Sequence, residues 1–137
     1  MTTIGLSTAT TVIEAAAEKA EEIDVPMCIA VVDSGTNLVG FRRMDGAILA
    51  SITIAQDKGY SAVAMEMSTE EIGEVAQPNE PIFGINTTND NRLIIFGGGV
   101  PLEEDGEIVG AVGVSGGSPE EDVTVAEAGV EAFESPQ

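Results

Sequence analysis

Gly106-Glu-Ile-Val-Gly-Ala-Val-Gly-Val-Ser-Gly-Gly-Ser-Pro-Glu-Glu-Asp122 holds a turn, an apolar run, a glycine exit and a helix start in one short segment. Ile108 to Val114 is apolar throughout, broken only by Gly110 and Gly113, which predicts a strand covered on both faces. Ser118-Pro119-Glu120-Glu121 then supplies an N-cap, a proline at the first helical position and a glutamate at the third, the pattern of a capping box. Glycine-lined backbone therefore runs from a central strand into a helix N-terminus, where N–H groups can face an anion or a polar ligand.

Working outward, Cys28-Ile-Ala-Val-Val32 is the other continuous apolar run, and the two predict adjacent central strands. Helical spacing of Ala9, Val12, Ile13, Ala16, Ala20 and Ile23 predicts a first helix over about 7–24, ended by Val25-Pro26. Strands at about 27–33 and 38–43 form a hairpin around Ser34-Gly-Thr-Asn37, with Asp33 capping the turn. A small-residue helix over 47–65 suggests close packing on something flat, with Gly59 as its point of approach. Ser68-Thr-Glu-Glu71 opens a short helix to about Ala76. Residues 77–91 lack periodicity and read as a loop or a lid. Strands at about 92–96, 100–104 and 107–115 and a helix at about 119–134 complete the chain, followed by a frayed tail. The expectation is a single domain over 1–137 with a five-stranded antiparallel sheet between helices, an α/β arrangement of the α+β kind.

With five basic and 24 acidic residues, the net charge is −19. That excludes nucleic acid and anionic membranes as natural partners, because no cluster of Lys and Arg exists beyond Arg42-Arg43. Since 43% of residues are hydrophobic and fall in ordered runs, the acidity reads as a folded surface adapted to salt rather than as disorder. The single cysteine, Cys28, precludes an internal disulfide. No signal peptide or membrane span is visible, which gives a cytoplasmic expectation.

The segments Val31-Val-Asp-Ser-Gly35, Phe41-Arg-Arg-Met-Asp-Gly46, Ala55-Gln-Asp-Lys58, Gly97-Gly-Gly-Val-Pro-Leu102 and Gly110-Ala-Val-Gly-Val-Ser-Gly-Gly117 with Asp122 occur in an order that resembles one family. It is the family of small proteins that includes GlcG, the haem-binding protein HbpS and the C-terminal domain of PduO. The resemblance spans nearly the whole chain and implies a profilin-like three-layer α/β/α fold and a homo-oligomer. It also implies a ligand, with haem binding and haem degradation associated with some relatives. The chain departs from haem-binding relatives in having no histidine, the usual axial ligand. Met44, Met65, Met67, Tyr60, Lys58 and Cys28 are what remains for an iron.

Side chains and backbone that suit a small ligand are Arg43, Asp45, Lys58, Gly98, Gly99, Ser115, Gly116 and Gly117. Arg43 and Lys58 are scarce cations able to meet a carboxylate, and the glycines let a ligand approach backbone donors. Each has a plainer reading: Asp45 caps the next helix or pairs with an arginine, and Lys58 is solvated or ion-paired. Ser115 has no histidine to activate it, and Asp122 suits the first turn of a helix through the macrodipole alone. The expected function is binding of a tetrapyrrole such as haem or of a small carboxylated metabolite. The alternatives are an enzyme acting on haem or a small organic acid, and a non-catalytic oligomeric accessory subunit.

Overall fold

In the computed structural model, which describes residues 3–135, helix α1 (Leu6–Glu22) leads into strands β1 (Cys28–Asp33) and β2 (Leu38–Arg43). Helices α2 (Ser51–Met65) and α3 (Thr69–Val75) follow, then β3 (Gly99–Glu104), β4 (Glu107–Ser115) and α4 (Pro119–Glu134). The last two residues of the expected tail, 136 and 137, lie outside the described residues. The sheet is antiparallel in the order β2-β1-β4-β3, so the two apolar runs are the central, adjacent strands.

The sheet has four strands, which corrects the expectation of five. Residues 92–96 have the composition of a strand but find no strand partner. They run instead as a strap against α2 and α3. The Ile94 N–H donates to the Ser61 hydroxyl at 2.9 Å, Leu93 is buried, and the Ile95 carbonyl lies against Gly73. A side-chain acceptor has taken the place of a ladder bond, which satisfies the backbone without extending the sheet. The preceding 77–91 segment forms two 3₁₀ turns at Ile85–Thr87 and Asn89–Asn91.

Alternation along the central strands sorts their side chains to two faces. Ile29 and Val31 of β1, with Val112 and Val114 of β4, pack against Val12, Ala16, Val125 and Ala126 of α1 and α4 in the larger core. Cys28 and Ala30 face the other way, toward Ala55 on α2. On that face α2 comes down onto backbone. A Cβ at Gly113 would meet the Ala55 carbonyl and, at 2.6 Å, the Gly59 nitrogen. The close approach predicted for Gly59 is real, but the residue that must lack a side chain is its strand neighbour. At Gly59 itself a Cβ would make ordinary contacts, with Val32 at 3.4 Å and the Gly113 nitrogen at 3.9 Å.

Helix starts follow the sequence closely. Ser68 and Ser118 both form complete capping boxes, with Glu71 and Glu121 respectively. The small-residue helix begins at Ser51 rather than Ala47, after turns at 45–46 and 49–50, and its N-cap is Ala50. Asp45 therefore does not cap it. On the sheet edges, β3 carries Pro101 and ends in Glu103 and Glu104, whereas β2 carries Arg42 and Arg43. No helix among the described residues is long and apolar enough to cross a membrane.

Candidate functional site

Lys58 is the largest fully buried side chain among the described residues. It lies on the sheet-facing side of α2, one turn beyond Ala55, and reaches over the end of β4. Its Nζ donates to the Val114 carbonyl and to Asp122 Oδ2, both at 2.8 Å, and sits 5.2 Å from the centroid of the Phe96 ring. A carbonyl and a carboxylate thus take two of the ammonium's three donors, and an aromatic face lies within cation–π range. Asp122 completes the arrangement from α4, its Oδ1 accepting the Gly117 N–H at 2.9 Å. Burial pulls Lys58 below the ordinary lysine range against the opposing charge of Asp122. Burial likewise lifts Asp122, against Lys58 and the Gly117 N–H. Two groups 2.8 Å apart that bond each other in this way tie α2, β4 and α4 into one corner.

Gly98 is required by this corner. Its φ is +130°, and a Cβ there would stand 2.6 Å from Lys58 Nζ. Its carbonyl accepts the Val114 N–H at 2.9 Å, while the Gly99 N–H donates to the buried Thr69 hydroxyl at 2.9 Å. Lys58, Gly98, Gly99 and Gly117 are thus brought together, around an aspartate that sequence alone assigns only to the helix dipole. Asp122 lies 64 positions from Lys58, so no local spacing signals the pair.

The helix start beside this corner is not open to an anion. The Gly117 N–H is engaged by Asp122, the Ser118 N–H by Glu121 and the Glu121 N–H by the Ser118 hydroxyl. Glu120, Glu121 and Asp122 place three carboxylates in its first turn. Gly116 packs against Pro26 and Met27.

Arg43 occupies a different setting. Across the sheet it is in register with Cys28, which is in register with Ser115, so the three share the face that α2 covers. The Ser115 hydroxyl donates to that of Ser51 at 3.0 Å, both buried, which places the row at the start of α2. Burial pushes the Cys28 thiol up, with Arg43 opposing. Lys19, Lys58 and Arg92 pair with Glu22, Asp122 and Asp57. Arg42 and Arg43 are exposed and form no ion pair among the described residues. Asp45 is separate again, lining a shallow groove with Glu21, Asp24 and Met44. Sequence reasoning also missed the Asp57–Arg92–Tyr60 cluster. Arg92 Nε bonds Asp57 at 3.0 Å, and its guanidinium stacks 3.8 Å from the Tyr60 centroid.

Fold and site together define a small α+β protein with helices on both sheet faces, a locked ionic corner and one strand edge bearing free arginines. The chain belongs to the HbpS-like family, described as haem-degrading protein HbpS-like, which matches residues 4–131. It is 41% identical over 131 residues to a 15.0 kDa protein of the dhaT-dhaS intergenic region of Citrobacter freundii, covering 96% of this chain and 92% of that one. Among solved structures it resembles ORFY of Klebsiella pneumoniae, with TM-score 0.97 and 38% identity, covering 100% and 94% of the two chains. It also resembles the PduOC:haem complex, with TM-score 0.91 and 32% identity over 95% and 94% of the two chains.

Proposed function

We propose that this protein is a cytoplasmic, oligomeric ligand-binding member of its family, and that its ligand presents a carboxylate to Arg43. The observation that carries this reading is the exposed, unpaired Arg43 in a chain of net charge −19. A cation left unpaired among so many carboxylates, beside buried hydroxyls and a glycine turn, is placed to meet an anionic group from outside the chain. Ser115, Gly116 and Gly117 would form the wall beside it. Lys58, Gly98 and Gly99 would serve as the rigid backing, since the buried lysine is held by Val114 and Asp122.

Haem and a small organic acid share the carboxylate. The residues present do not fit an axially ligated haem iron. Cys28 is fully buried and its thiol is pushed up. The sulfur of Met44 accepts the Met27 N–H at 3.4 Å, and the Tyr60 hydroxyl accepts from Asn89 at 3.1 Å. Met65 and Met67 lie at the far end of α2, about 20 Å along its axis from Ser51 at 1.5 Å per residue. A haem in this site would be held through its propionates and its apolar face rather than through its iron.

A titration of haemin in about 2 M KCl, where exposed charges are screened, followed through the Soret band against free haemin, tests the first ligand class. A saturable shifted band that weakens about tenfold in Arg43→Ala, roughly 1.4 kcal/mol, is the expected result for a tetrapyrrole. An unchanged band, with small carboxylates instead raising the melting temperature of the wild type and not of Arg43→Ala, identifies the second class. Binding of either that is indifferent to Arg43→Ala overturns the site.

A further inference from the structure

Helix α2 lies across β1, β4 and β3, while β2 is packed by α1 on the opposite face. Leu38, whose partner Val32 turns toward α2, is 49% exposed, and Phe41, opposite Ala30, is only half-buried at the edge of the Cys28, Ala30, Ala47 and Ala55 cluster. Beside them, the turn into α2 exposes Ile48 and Leu49, at 60% and 76%, and Ile52 is half-buried against the same cluster. The outer side of α2 is poor in charge as well. Residues 38–65 contain two acidic side chains, Asp45 and Asp57, of the 24 in the chain. Asp57 is spent on Arg92. By contrast, α1 carries Glu14, Glu18, Glu21 and Glu22, and α4 carries six acidic residues.

We infer that the face formed by β2 and the start of α2 is the seam at which a second copy of this chain docks, closing the Arg43 site from the open side. The choice of occupant follows from charge. Two molecules of net charge −19 repel through nearly every surface, and this face, where Asp45 is the one carboxylate not already paired, is where they can meet with the fewest opposing carboxylates. Apolar anchors at the centre with a charged rim are what a specific interface requires. Arg43 would then be enclosed rather than solvated, and Ile48 and Leu49 of each copy would supply apolar wall to a site that one copy leaves open. This rests on the oligomeric reading proposed above.

Light scattering coupled to size exclusion, in about 3 M KCl to screen the acidic surfaces, tests it on the full chain. The wild type is expected to exceed the 14.1 kDa monomer, and Leu49→Glu and Ile48→Glu to fall to that mass with unchanged far-ultraviolet circular dichroism. Leu6→Glu, comparably exposed but on α1, is expected to leave the assembly intact. Should a substitution disturb the fold, Leu49→Cys gives an independent readout, because oxidation links two copies covalently if the seam is two-fold. A wild type that stays monomeric at all concentrations overturns the oligomeric reading itself. An assembly that is unaffected by Leu49→Glu, and that oxidation does not cross-link in Leu49→Cys, overturns the seam alone. The Arg43→Ala titration judges the ligand site separately from both.

Discussion

The corner at Lys58 and the edge at Arg43 use the same kind of charge to opposite ends. Lys58 is wholly buried, with hydrogen bonds to the Val114 carbonyl and to Asp122. Arg43 is exposed and unpaired. The first was assembled at a desolvation cost that its partners offset, so its value lies in holding three elements in one arrangement. The second contributes little to folding and is free for something outside the fold. In a chain with so few cations, pairing state separates the buried scaffold from the open surface more clearly than residue type does.

The contrast breaks most visibly if Lys58 is removed. Lys58→Ala leaves Asp122 buried without its cation, and the expected loss is about 3–5 kcal/mol, read by urea unfolding in molar KCl. Replacing both partners with apolar residues, Lys58→Met with Asp122→Leu, should recover most of that loss, because no uncompensated charge remains. A double variant no better than the single would mean that the pair is worth more than its desolvation. Gly113→Ala probes the same corner through packing alone. Its Cβ would strike the Ala55 carbonyl, and the overpacking should cost about 1–3 kcal/mol in the same unfolding measurement.

At the other end of the scale, Arg43→Ala should shift stability by no more than about 0.5 kcal/mol while affecting binding. A large stability loss would remove the distinction between corner and edge. The acid limb of the stability profile offers the smallest effect. Asp33 Oδ1 accepts the N–H groups of Gly35 and Asn37, both at 2.9 Å. Burial pushes its carboxyl up, but the bonds from Asn37 and Gly35 together carry it below the ordinary value. Its contribution is therefore present above the unfolded carboxylate range, near about 3.9, and is lost as pH falls through the lower folded value. Asp33→Asn should flatten that limb as pH falls below about 4, as followed by thermal melts.

These contrasts bear on what can be read from residues in order. The two central strands, the hairpin with its Asp33 turn and both serine capping boxes were legible, because each depends on neighbours within a few positions. The 92–96 segment misled for a physical reason: strand composition reports an apolar extended chain but not the identity of its hydrogen-bond partner. Here that partner is the Ser61 hydroxyl. The ionic corner was half legible. Lys58 and Gly98 stood out as unusual residues, but their meeting with Asp122 depends on how α2 crosses the sheet. Arg43 was legible as a scarce cation, while the bareness of the face beside it follows from where α2 stops.

Pro101 on β3 bears on what this protein does at high concentration. An outer strand with a proline, followed by Glu103 and Glu104, cannot offer a full row of donors to an incoming strand. The two sides of the sheet therefore differ: the β3 side is blunted, and β2 carries no proline. Should copies ever add to the sheet through β2, the blunted β3 edge would offer the next arrival no equivalent place, which disfavours open-ended growth.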